Sequence, residues 1–320
     1  MTTTDQIAVM TPASGQWITG AEKYVRNARA AATIRAYQSD WKGFREYCDR
    51  EGVNPLPAGP ESVAGYLVRL ADAGQKAATI RRKLSAISQA HRAAGYSSPT
   101  ETEEVRLIWS GIRRSLGTAQ ERKEPLRTEE LRRIIAALPD SRGGLRDRAL
   151  LLVGFAGAFR RSELAGLNVT DLHFGREGVT VSLRKSKTDP EGEGFKKWLP
   201  FGSHPDTCPI RAVEDWVEAA GITGGPLFRP VDRHGNVGRE RLTGHSISRI
   251  VKRAVAGIGK DPADYGGHSL RAGFATQSAA NGASERAIMK QTGHRSVTVL
   301  RRYIREGAVH RGNAAADLGL

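Results

Sequence analysis

From Ala31 to Glu51 apolar residues recur at helical spacing, with Tyr37, Trp41, Phe44 and Cys48 on one stripe and Arg35, Lys42 and Arg45 away from it. Gly52 supplies the stop. After the turn NPLPAGP, Val63, Leu67 and Leu70 mark a second helix entered through Pro60, a residue that fits a helix start. Gln75 to Ala94 turns Ile80, Leu84 and Ile87 inward and clusters Arg81, Arg82 and Lys83 near its first turns. Val105, Ile108, Trp109 and Ile112 mark a fourth helix that ends at Gly117. The pattern predicts an all-helical bundle, residues 19–117, preceded by a polar, Thr-rich mobile tail over residues 1–18.

The stretch GTAQERKEPL, Gly117 to Leu126, is charged, lacks apolar periodicity and ends in Pro, which marks residues 118–126 as a linker. A second domain then spans residues 127–320. Thr128 is placed to cap a helix carrying Leu131, Ile134, Ile135 and Leu138. Leu145 to about Phe159 is apolar nearly all round and predicts a core helix. The period then changes: Val179, Val181 and Leu183 alternate with Thr180, Ser182 and Arg184, the signature of a half-buried strand, and the turn-rich DPEGEG leads to a return strand around Lys197 to Phe201. Short helices fill most of the remainder. The fold class is mainly α with a small β-sheet: an N-terminal helical bundle, then an α+β domain.

Charge narrows the partner. Lys and Arg number 49 against 34 Asp and Glu, a formal net charge of +15, and the excess is spread over the whole length. A polyanion bound across a large face is implied, nucleic acid ahead of a membrane surface. The only cysteines, Cys48 and Cys208, exclude a disulfide framework and a zinc cluster. No apolar run approaches a membrane span and the N-terminus has no signal pattern, so a cytoplasmic protein is expected.

The candidate chemistry is concentrated in GHSLRAGFAT and the following MKQTGHRSVTVLRRYIRE, which bring His268, Arg271, His294 and Tyr303 into one segment. Arg binds phosphate oxygens as a fork, His moves protons near neutrality, and a Tyr hydroxyl can act as a covalent nucleophile. Arg160 and Glu163 are three apart in GAFRRSELAGL, where the carboxylate can orient the guanidinium. Lys187 lies in the basic hairpin RKSKTDPEGEG. Singly, each has a plain reading. His268 and Arg271 could cap a helix and pair with a carboxylate, Lys187 could be a solvated lysine, and Tyr303 could pack after Leu300.

Together and in order, GAFRRSELAGL, SKTDPEGEG, GHSLRAGFAT, TGH and RRY resemble the boxes of the tyrosine recombinases, or phage integrase family. The stretch from TIRAYQSDWKGFREYCDREG through KAATIRRKLSAISQAHRAAG looks like the SAM-like core-binding domain of Cre-type members, and no added arm-binding module is expected before it. Cre-type proteins carry Trp where this chain has His294, but His is the commoner residue in the wider family. The resemblance implies a C-shaped clamp on double-stranded DNA bearing inverted-repeat sites. It also implies a metal-free and ATP-free site-specific recombinase acting through a 3′-phosphotyrosyl link and a Holliday junction. By the same resemblance four protomers assemble on two sites and exchange their C-terminal segments.

In that reading Arg160 and Arg271 stabilise the non-bridging oxygens. His268 accepts the Tyr303 proton or holds a phosphate oxygen, His294 donates to another, and Lys187 protonates the departing 5′ oxygen. No cofactor or metal ligand set is expected. DNA contacts are assigned to Arg35, Lys42, Arg81, Arg82 and Lys83 in the first domain and to His245 and Arg249 in the helix GHSISRIVKR. Two rivals share the resemblance: a binding protein that kept the fold without the chemistry, which would lack an Arg, His or Tyr present here, and a type IB topoisomerase-like enzyme that rejoins the original strand.

Overall fold

The computed structural model describes residues 30–117, 123–183, 194–294, 296–298, 300–301 and 303. The expected tail over residues 1–18, Lys187 with the hairpin tip, and the segment after Tyr303 lie outside the described residues. The chain divides into two compact units, Met1–Glu121 and Arg122–Leu320.

The first unit contains helices α1 (Ala31–Glu51), α2 (Pro60–Asp72), α3 (Ala77–Ala93) and α4 (Glu103–Leu116). Its core is the stripe that the spacing predicts: Trp41, Phe44 and Cys48 pack with Val63, Leu67, Leu70, Ile80, Leu84, Ile87 and Val105. Each such side chain, fully buried, is worth about 1.5–3 kcal/mol. Gly52 ends α1 in the left-handed region at φ 68°, its N–H donating to the Cys48 carbonyl, a conformation that only glycine adopts without steric cost. Ile108, Trp109 and Ile112 are partly buried against the same core.

In the second unit α5 (Thr128–Ala137) precedes α6 (Arg142–Ala156), which packs against α8 (Pro209–Ala219) and α10 (Ser269–Ala280). The remaining helices are α7 (Arg161–Gly166), α9 (Gly244–Ala256) and α11 (Glu285–Thr292). Three antiparallel strands, β1 (Leu172–Gly175), β2 (Gly178–Leu183) and β3 (Phe195–Pro200), lie in the order β1-β2-β3. Val179 pairs with Leu199 and Val181 with Lys197 on the buried face, while Thr180 pairs with Trp198 on the open one. β1 escaped the sequence reading because LHFG is too short to show a period.

Three local differences from the sequence expectations have physical causes. Arg127, not Thr128, occupies the cap of α5, and its backbone N–H donates to the Glu130 carboxylate at 2.9 Å. The core helix stops at Ala156, short of Phe159, because Ala158 takes a positive φ of 47°. The expected linker also ends early. Leu126 is fully buried in the core of the second unit and its N–H donates to the Ser269 carbonyl at 3.0 Å. Gly273 permits this approach, since a Cβ there would stand 1.9 Å from the Leu126 carbonyl oxygen.

Candidate active site

Three short stretches of the second unit converge. The turn after α6 carries Arg160 at the cap of α7, and Glu163 lies in the first turn of that helix. Glu163 is almost wholly buried and accepts from the Arg160 backbone N–H at 2.9 Å and from its Nη1 at 2.5 Å. One carboxylate therefore caps the helix and orients the guanidinium, which restricts the Arg fork more than a surface ion pair does. The other side of the fork, Nη2, lies 3.4 Å from the Gly293 carbonyl.

Arg271, in the first turn of α10, is 1% exposed. Its Nη1 donates to the Ala158 carbonyl at 2.9 Å and to the Thr292 carbonyl, while its Nη2 is buried with no hydrogen-bond partner among the described residues. A buried guanidinium is expensive to leave incompletely paired. Burial and then the neighbouring Arg160 charge push its pKa down to about 10. An anion at the free edge would relieve both penalties.

The tyrosine is held at the rim of this basic cluster. A helical turn including Leu300 and Tyr303 packs, through fully buried Leu300, against Ala275, Ala279 and Ile288, with Tyr303 at the edge of that cluster. The Tyr303 hydroxyl is 2.9 Å from His268 Nε2. Desolvation, then the charges of Arg271 and Arg160, lowers the His268 pKa and favours the neutral imidazole; in the tautomer protonated at Nδ1, Nε2 accepts from the phenol.

His294 follows Gly293, which closes α11 in the left-handed region at φ 66°. Its ring is stacked against Tyr303 with centroids 6.0 Å apart and an interplanar angle of 19°. Burial, then Arg271 and Arg160, pushes its pKa down to about 3. Thr292 Oγ1 donates to the Ile288 carbonyl at 2.7 Å, so His294 Nδ1–H, 2.9 Å away, donates to that hydroxyl oxygen and Nε2 carries the lone pair.

The structure thus brings Arg160, Glu163, His268, Arg271, His294 and Tyr303 to one place. Lys187 lies outside the described residues. Sequence reading missed Thr292, whose hydroxyl sets the His294 tautomer, and Lys197, buried under the site. The signal for Lys197 was its place in β3, where strict alternation sets it on the apolar side with Phe195 and Leu199.

The expected DNA contacts lie elsewhere and differ in freedom. His245 and Arg249 share the exposed face of α9, opposite buried Ile247, Ile250 and Val251. Arg35, Lys42 and Arg81 are exposed, Lys42 standing 3.8 Å from Glu46. Arg82 instead makes a two-pronged pair with buried Asp40, at 2.7 and 3.0 Å, and Lys83 leans on the Tyr66 hydroxyl at 3.4 Å. Asp40 is a polar position on α1 that periodicity alone does not distinguish from a solvated one.

A helical bundle joined to a mixed domain, with two guanidiniums, two neutral imidazoles and a phenol gathered on the latter, is the architecture of an enzyme acting on phosphodiesters. Residues 124–309 match the model of the phage integrase family and residues 22–95 that of its N-terminal SAM-like domain. The chain belongs to the phage integrase family, the tyrosine recombinases, and is a site-specific DNA recombinase of that kind. It is 40% identical to an integrase/recombinase XerD homolog of Selenomonas ruminantium, covering 92% of this chain and 87% of the relative. It is 26% identical to the Cre recombinase of Escherichia phage P1, covering 88% and 85%. In fold it is similar to XerH bound to a palindromic difH substrate, with a TM-score of 0.65 at 19% identity, over 92% of this chain and 82% of that one. A lambda integrase dimer on a core site gives 0.63 at 21% identity, over 91% and 93%.

Proposed function

We propose that the chain cleaves and rejoins DNA through a 3′-phosphotyrosyl bond on Tyr303, with the chemistry supplied by its own side chains. The observation that carries this reading is the Tyr303 hydroxyl standing 2.9 Å from His268 Nε2, in one cluster with Arg271, whose Nη2 has no hydrogen-bond partner among the described residues. As the phenol oxygen attacks phosphorus, its proton passes to His268 Nε2. Charge grows on the non-bridging oxygens, where Arg160 and Arg271 present guanidinium donors that need no reorganisation at the moment of reaction. Lys187 protonates the departing 5′ oxygen. His294 donates to a phosphate oxygen through Nε2, for which it takes up a proton when the phosphate binds. The phosphotyrosyl ester conserves the bond energy, so a 5′-hydroxyl from a second DNA end reverses the step on a new strand without ATP. Two fixed guanidiniums and an ammonium fill the role that divalent cations hold in other phosphoryl-transfer sites.

At the level of the complex, the proposal is a homotetramer on two inverted-repeat sites, passing through a Holliday junction and working on DNA in the cytoplasm. Arg35, Lys42 and Arg81 from the first unit, with His245 and Arg249 from α9, contact the duplex. Arg82 and Lys83 contribute through the rigidity of their Asp40 and Tyr66 pairings as well as their charge.

The test begins by capturing and sequencing the DNA that becomes covalently attached to the protein, then builds that site as a nicked suicide substrate. In EDTA the parent should give a protein–DNA band on a denaturing gel. Tyr303→Phe should bind the site nearly as well and give none, since only the hydroxyl is lost. An adduct with Tyr303→Phe would show that the nucleophile lies elsewhere, and an absolute need for Mg²⁺ would reject the metal-free route.

A further inference from the structure

Beneath the site lies a cation for which the chemistry above has no use. Lys197 is 2% exposed, on the buried face of β3 with Val181 as its cross-strand partner. An ammonium so placed must find acceptors or give up its proton. Its Nζ donates to the Gly157 carbonyl at 2.6 Å and the Ala158 carbonyl at 3.2 Å, and stands 4.6 Å from the centroid of the Phe159 ring. Those carbonyls form the turn between α6 and α7. Ala158, at φ 47°, holds a left-handed conformation that a residue with a side chain keeps only when its surroundings enforce it. The Ala158 carbonyl also receives Arg271 Nη1 at 2.9 Å, and Arg160 follows two residues later.

We propose that Lys197 is a positioning residue for the phosphate site: its clamp on the Gly157 and Ala158 carbonyls fixes the turn on which Arg271 rests and from which Arg160 projects. This inference rests on the reading of Arg160 and Arg271 as the phosphate-binding pair. Lys197 does not substitute for Lys187 as proton donor to the leaving oxygen, because its Nζ is buried beneath the turn with two of its hydrogens committed to carbonyls. Ammonium or neutral amine, the side chain has hydrogens for both carbonyls. Burial, with Arg271 and Arg160, pulls its pKa down to about 7, and Glu163 opposes that fall.

Lys197→Met removes the clamp at similar length, and Lys197→Gln keeps an amide donor in case the apolar variant does not fold. Each is measured for cooperative melting, for equilibrium binding to the captured site and for the single-turnover rate of covalent adduct formation. At least one variant should melt cooperatively and bind DNA within about twofold of the parent. Its adduct should form about 10²-fold more slowly, the scale of a small displacement of catalytic groups. In an Arg160→Ala background the same substitution should cost clearly less than in the parent, since the Arg160 part of the geometry it protects is already gone and only the support of Arg271 remains. Adduct formation at the parental rate, the full loss repeated in the Arg160→Ala background, or failure of both variants to fold or bind DNA would overturn the proposal. Failure of the underlying reading is a separate result: the parent would then form no Tyr303-dependent adduct.

Discussion

At the scale of single residues, the site works by keeping bases neutral beside fixed cations. Burial, and after it the charges of Arg271 and Arg160, lowers the proton affinity of His268 and His294, and the same charges favour an arriving phosphate. In the proposed mechanism the leaving-group proton comes from Lys187. The prediction follows from bond chemistry. Lys187→Ala should cleave a normal suicide substrate slowly, yet regain activity when the 5′-bridging oxygen is replaced by sulfur, a leaving group that needs no proton. Persistent inactivity on the sulfur substrate would remove Lys187 from that role. Most of these residues were legible in the sequence because H-x-x-R, R-x-x-E and the isolated tyrosine are unusual only in combination and in order. Thr292 and Lys197 were not legible in that way. Their parts depend on which carbonyl or ring lies next to them, and this is decided by the turn at Ala158 and the end of α11 rather than by residue type.

At the scale of elements, periodicity located α1 to its terminal residues and the inward faces of α2 and α3, since a strong apolar stripe and Gly52 leave few alternatives. It overran α6, because the hydrophobic residues continue through the left-handed turn that ends the helix. One buried polar contact in the bundle has a testable consequence. His91, 0% exposed on α3, donates from Nδ1 to the Ile87 carbonyl at 2.9 Å, and its Nε2 accepts the Ala58 N–H at 2.9 Å, tying the loop before α2 to α3. Burial lowers its pKa below the ordinary value of 6.5. The unfolded chain therefore binds the proton first on acidification. The stabilisation from this contact is complete above about pH 6.5 and is lost as pH falls through that value toward the folded pKa. Hydrogen exchange at the Ala58 amide, corrected for intrinsic rate, should show less protection at about pH 5.5 than at about pH 7.5. His91→Asn should weaken that dependence. Equal protection at both pH values in the parent would mean that His91 stays neutral or that its acceptor role is dispensable.

At the scale of the whole molecule, the proposed recombination has both units on one duplex and the protomers acting in concert, so it needs a link between protomers. The segment after Tyr303 contains NAAADLGL, with Ala315 and Leu318 one helical turn apart. An isolated helix that short is not stable in water, so its apolar side needs a host surface. We propose that the host is the neighbouring protomer in a cyclic tetramer, an arrangement implied by the Cre-type resemblance. Such an exchange couples assembly to the position of Tyr303, because the exchanged segment follows that residue by only a few turns of chain. Deleting residues 311–320 should leave single-site binding and suicide cleavage largely intact, since every group gathered at the site lies before the deletion. The two-site synaptic complex, read by native gel mobility, and recombination of paired sites should both be lost. If the truncated protein recombines paired sites at the parental rate, the segment is not the link between protomers. If suicide cleavage on a single site is lost as well, the segment folds back to support its own Tyr303 instead.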